Sequence, residues 1–191
     1  MFYGREEDIA DLMSLWKKPT ASLVTCRGRR RIGKSTLVEE FARRSKARFI
    51  ELAGEAPRKG MTNDDQLKAF GRQLAAYTTD GPCAVPGDWA AAFRMLDDEI
   101  GDGKTIVFLD EISWMGQYAA DFPGDLKTAW DTRFKKHPRL ILVLCGSVST
   151  WIRENILNNT GFVGRISLDL VVGELPLKDC TRFWGKRVER L

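Results

Sequence analysis

One nine-residue stretch restricts the fold more than any other: "GRRRIGKST", Gly28–Thr36. It fits the pattern G-x-x-x-x-G-K-[ST], with apolar, β-branched "SLVTC" (Ser22–Cys26) before it and amphipathic "STLVEEFARRS" (Ser35–Ser45) after it. Strand, glycine loop and helix in that order form a nest for phosphate. The glycines let the loop curl so that successive N–H groups point inward. The helix adds free N–H groups and the positive end of its dipole. In such a nest Lys34 reaches the β- and γ-phosphates, the Ser35 hydroxyl is a ligand for Mg²⁺, and Thr36 bonds the α-phosphate. Gly28, Arg29, Arg30, Arg31, Ile32 and Gly33 supply the cradle. The three arginine side chains fall at the variable positions, where solvation or a field-setting role is expected.

The rest of the chain supplies a fold for that loop. Near-continuous apolar runs recur at "ARFIEL" (Ala47–Leu52), "TIVFLDE" (Thr105–Glu111), "RLILVLCGS" (Arg139–Ser147) and "ISLDLVV" (Ile166–Val172). Between them lie segments of helical periodicity: Arg5–Trp16, Asn63–Thr79 with an Asn or Asp cap, Trp89–Ile100, Asp125–His137 and Ser149–Leu157. Pro176–Leu191 reads as a last helix, and Asp80–Asp88 as a loop. Unbroken apolar strands alternating with helices predict an α/β three-layer sandwich, a five-stranded, mostly parallel sheet covered on both faces. Ligands then bind beyond the carboxyl ends of the strands.

Those ends carry the other candidates. Asp110 closes the third apolar run and is placed to hold Mg²⁺. Glu111 follows it and can polarise a water for attack on the γ-phosphorus; its bland alternative is a cap on a solvated edge. In a hydrolase of this architecture the strand between the loop strand and the acidic strand offers a polar side chain to the γ-phosphate. Ser147 is the candidate and Ser149 the reserve, with helix capping as the competing role. Arg165, before the last strand, can neutralise γ-phosphate charge in its own chain or a neighbour's, or be a surface arginine. His137 is expected at the surface without a catalytic part. Trp89, Trp130, Trp151 and Trp184 are expected in the core, and Trp114 is expected to pack rather than line a cleft.

Composition adds limits. In 191 residues, 43% hydrophobic and 29% charged, the net charge of +4 permits an anionic partner without demanding one. The N-terminus has no apolar signal-peptide core, and the longest apolar run, Leu140–Cys145, is too short to span a bilayer. The four cysteines, Cys26, Cys83, Cys145 and Cys180, form no C-x-x-C pair and read as reduced thiols in a cytoplasmic protein.

Taken together, "FYGREEDIADL", "GRRRIGKST", "IVFLDEISWM", "LVLCGS" and "GFVGRISLDL" resemble the prokaryotic, archaeal-type ATPases of the AAA+/STAND class. The resemblance spans essentially the whole chain. It implies ATP or ADP with Mg²⁺ as ligands, and it places Tyr3, Gly4 and Arg5 beside the adenine. Its acidic pair maps to Asp110 and Glu111, its post-strand serine to Ser147, and its Gly-Arg to Gly164 and Arg165. Members continue into a helical lid, so residues 1–175 are expected to be the ATPase core and 176–191 the start of a truncated lid. Three functions fit these features: an Mg²⁺-dependent ATPase core; a nucleotide-dependent switch with little turnover; and a nucleic-acid module using the basic loop. A homo-oligomer or a partner protein fits the first two, a small-molecule kinase is a weak fourth, and no membrane association is expected.

Overall fold

Every neighbouring pair of strands runs parallel, as unbroken apolar runs require. The computed structural model describes residues 2–78, 84–147, 149–176 and 179–180. Its strands are β1 (Ser22–Arg27), β2 (Arg48–Ala53), β3 (Thr105–Asp110), β4 (Leu140–Gly146) and β5 (Ile166–Val171). They form one sheet in the order β2-β3-β4-β1-β5. The fourth strand lies between the loop strand and the acidic strand, as expected for Ser147.

Side-chain alternation builds two cores. Along β4, Leu140, Leu142 and Leu144 face one side, while Ile141, Val143 and Cys145 face the other. The first side is covered by α3 (Asn63–Leu74), α4 (Trp89–Asp98), α6 (Phe122–Thr132) and α7 (Ser149–Ile152). Its centre is aromatic: the Trp89 and Phe122 rings meet edge to face at 4.7 Å. The second side is covered by α1 (Glu6–Ser14) and α2 (Lys34–Ser45). A short α5 (Ile112–Gly116) follows β3.

Several boundaries differ from the periodicity. The helix after β2 is capped by Thr62, not by an Asn or Asp: Thr62 and Asp65 form a reciprocal capping box. It stops at Leu74 rather than Thr79, which lies outside the described residues. The expected Asp125–His137 helix starts at Phe122 and ends at Thr132, because Arg133 leaves helical geometry and a 3₁₀ turn then buries Phe134. α7 passes into a π-helical turn over Arg153–Leu157. Trp89 and Trp130 are buried and Trp151 packs on the same core. Trp184, Cys83 and most of the 176–191 helix lie outside the described residues. Cys26, Cys145 and Cys180 are free thiols. Cys26 and Cys145 are register partners on β1 and β4, and the Cys26 thiol together with burial pushes the Cys145 thiol up.

Candidate nucleotide site

The loop begins where β1 leaves the sheet. Gly28 has φ 156° and lies against the Val172 carbonyl oxygen so closely that no Cβ fits there. Gly33 turns the chain into α2 with φ 93° as its N-terminal cap residue. Arg31 takes the left-handed conformation without being glycine, φ 63°. Lys34 is buried, and its ammonium donates to the carbonyls of Gly28 (3.0 Å) and Arg29 (3.1 Å). It thus lies back across the mouth of the loop.

Parallel register carries the acidic pair to the same rim. The Ser35 hydroxyl donates to Asp110 Oδ2 at 2.7 Å, and Asp110 Oδ1 accepts the Glu111 N–H at 2.8 Å. A hydroxyl and a carboxylate already in contact suit Mg²⁺, which binds through one or two carboxylates and shares the rest of its shell with phosphates and water. Burial, and then the charges of Glu39 and Asp110, push the Glu51 carboxyl above its ordinary value. Arg30, Arg31, Gly33, Lys34, Ser35, Thr36, Asp110 and Glu111 enclose a cavity of about 280 Å³. Thr36 also borders a larger groove along α2, shared with Phe2, Glu40 and Arg43.

Glu111 is held rather than free. It sits at φ 45°, ψ 47°, and its Oε2 accepts the Ser147 N–H (3.2 Å) and hydroxyl (3.0 Å). Ser147 is thus brought to the site through the expected acid. The Ser149 side chain lies outside the description. Gly54, after β2, packs so tightly on the Glu111 carbonyl that an added Cβ would stand 2.6 Å from it. Nothing in the linear sequence marks that contact.

Arg165 is not brought to this rim. It precedes β5, whose start pairs with Leu23 at the opposite end of β1. There it makes a bidentate pair with Asp131, 2.9 Å on both oxygens. That pair holds the Asp131 carboxyl well below the usual carboxylate range. A role toward the γ-phosphate of its own chain is corrected by this placement: the length of β1 lies between. His137 is not simply a surface residue either, since its Nε2 bonds Asp97 at 2.9 Å.

The three arginines of the loop differ. Arg29 is solvated and pairs with Glu174 at 3.2 Å, and Arg31 is exposed. Arg30 lies over the half-buried Trp114 ring, 5.9 Å from its centroid. Of Tyr3, Gly4 and Arg5, it is Arg5 that contacts the loop: one guanidinium nitrogen donates to the Ile32 carbonyl (3.2 Å) and to the Gly173 carbonyl (2.6 Å). A cavity of about 420 Å³ opens beside Gly4, Arg5, Gly173 and Leu175.

A phosphate-cradling loop after β1, a carboxylate pair after β3, and a strand between them with a polar residue at its end define a P-loop NTPase. The AAA domain family matches residues 20–170 of the chain, and the chain belongs to it. It is an AAA-type P-loop protein, and nucleotide binding comes with that membership. No curated protein matches the chain. Among solved structures it is similar to the Walker-type ATPase PABY2304 of Pyrococcus abyssi, at 19% identity and a TM-score of 0.70. That match covers 97% of this chain and 57% of the other, so the chain spans little more than half of that protein. Among the described residues no helix is long and apolar enough to cross a membrane.

Proposed function

We propose that the chain binds ATP and hydrolyses it with Mg²⁺, as an ATPase core of the AAA+/STAND kind. The observation that carries this reading is the Ser35–Asp110 hydrogen bond of 2.7 Å with Glu111 beside it. It joins the phosphate loop to an acid that a transfer to a substrate hydroxyl would not need. Lys34 and the loop N–H groups hold the β- and γ-phosphates. Ser35 and Asp110 would hold Mg²⁺, which when bound offsets phosphate charge. Glu111 orients water and accepts its proton. Arg165 is distant from its own loop and paired with Asp131, so a γ-phosphate role for it would be toward a neighbouring copy in a homo-oligomer.

The test is steady-state phosphate release from Mg-ATP by the wild-type chain and by Glu111→Gln, with nucleotide affinity measured for both. Loss of release with retained affinity supports the assignment. Release that persists in Glu111→Gln refutes it.

One observation favours a slower variant of the same function, a nucleotide-dependent switch. Glu111 is tied to Ser147 by two hydrogen bonds and must leave them to face a water. If the tie restrains turnover, Ser147→Ala raises phosphate release. If Ser147 serves the γ-phosphate directly, the same change lowers it.

A further inference from the structure

Among the described residues, the end of the sheet opposite the phosphate loop carries a second concentration of positive charge. It is hidden in the sequence because each strand start contributes only a residue or two. Lys17 and Lys18 precede β1, Lys46 precedes β2, Lys104 precedes β3, and Lys136 and Arg139 precede β4. All six are exposed, and among the described residues none is in an ion pair.

The parallel ladder sets them in a row. The Arg48 N–H donates to the Lys104 carbonyl at 2.8 Å, and the Thr105 N–H to the Arg139 carbonyl at 3.0 Å. The backbones at Lys104 and Arg139 therefore lie on neighbouring strands, about 4.8 Å apart. The Lys104 ammonium stands 5.1 Å from the Trp16 ring centroid, which brings Lys17 and Lys18 alongside. Next to the row, Thr132, Arg133, Lys136 and His137 line a cavity of about 420 Å³. Its one acid, Asp97, is already matched by Arg133 (3.2 Å) and His137 (2.9 Å).

The other acids at this end do not cancel the row. Glu99 pairs with Arg48 at 3.3 Å, and Asp131 with Arg165. Asp98 and Asp102, on the approach to β3, are exposed. The uncompensated charge lies toward β4 and β1. Cations favour helix C-termini, which accounts for Lys17, Lys46 and Lys136. It does not account for Lys104, which follows a helix ending in acids, or for Arg139, which follows the His137–Pro138 turn.

We propose that this rim docks the phosphate backbone of a nucleic acid, on the face away from the nucleotide site. Among the described residues the large apolar side chain exposed at this end is Val163, before β5, and one valine does not make the core of a protein–protein interface. Trp16, the aromatic beside the row, is half-buried and lies under the Lys104 ammonium, so the row offers charge rather than base-reading groups and binding is sequence-independent and salt-sensitive. This proposal does not depend on hydrolysis at the other end.

The test is fluorescence anisotropy with labelled single-stranded and duplex DNA of mixed sequence over a NaCl series, with Mg-ATP in excess throughout. The wild-type chain is expected to bind with an affinity that falls linearly in log salt. Lys104→Glu/Arg139→Glu is expected to weaken binding at least about tenfold and to flatten the duplex slope by roughly 0.9 per lost phosphate contact. Phosphate release should be unchanged. If that variant melts early, Lys104→Gln/Arg139→Gln carries the test, with a smaller loss. The proposal is overturned by equal binding of wild type and folded variant, by binding that Mg-ATP abolishes, by no binding of either DNA, or by capture of polyglutamate in place of DNA.

Discussion

Arg5 offers a perturbation whose size can be worked out in advance. Its guanidinium bridges two backbone carbonyls, Ile32 in the phosphate loop and Gly173 beyond β5, and its side chain is only 10% exposed. Hydrogen bonds from a charged donor contribute about 1.5–3 kcal/mol each. The Gly173 end is reached by solvent, so Arg5→Ala should cost about 3 kcal/mol in total rather than the sum of two upper values. The Asp8 pair at 3.7 Å adds little, being a surface contact. For a chain of this size the melting temperature should fall by roughly 6–12 °C. Urea unfolding and thermal melting without nucleotide measure this directly. Arg5→Lys keeps the charge on a side chain one bond shorter, which does not carry its donors to where the arginine nitrogen meets both carbonyls, so it should recover less than half of the loss. The adenine role implied by resemblance predicts something else: weaker nucleotide binding with stability unchanged. An Arg5→Ala chain that unfolds within about 0.5 kcal/mol of wild type but binds ATP poorly would refute the clamp.

Three further outcomes follow from the geometry. Gly28→Ala drives a Cβ into the Val172 carbonyl and strains the Val172–Arg27 backbone bond of 2.8 Å, so it should lose about 1–3 kcal/mol and most nucleotide affinity, by urea melts and calorimetric titration. Asp131 titrates below its ordinary 3.8 because Arg165 holds it charged, so its contribution is full above that pH and is lost as pH falls below it. Wild type should therefore lose more stability than Asp131→Asn between about pH 5 and pH 3, read as urea midpoints. Arg30 lies over Trp114, and phosphates that draw it off the ring should change indole emission; Trp114→Phe should remove the ATP-dependent change.

What could be read in the sequence was what local chemistry fixes. Glycine spacing, an apolar run ending in acids, and Ser147 after the fourth run all belong to single segments, and each lies on the rim where the loop is. Long-range choices were not legible. Arg165 sits on a conspicuous Gly-Arg step, yet its partner Asp131 is 34 residues away and holds it at the far end. The cap of α3 moved to Thr62 because its hydroxyl and the Asp65 carboxylate satisfy each other, a pairing that competes with the equally plausible Asn63. Gly54 and the carbonyls of Ile32 and Gly173 act through backbone atoms, which every residue has and no pattern distinguishes.

The strand order has a consequence for how the protein comes into being. β1 is flanked by β4 and β5, the last two strands of the sheet to be made. β2 and β3 can pair early, but the loop strand has no neighbour until Leu140–Gly146 leaves the ribosome. Pairings over such separations are slow, and unpaired apolar strands aggregate meanwhile. Leu23 and Val24, wholly buried in the finished sheet, stay exposed through most of translation. The segment that holds phosphate is therefore the last to gain its shape, and a growing chain cannot take up nucleotide before its sheet is nearly complete.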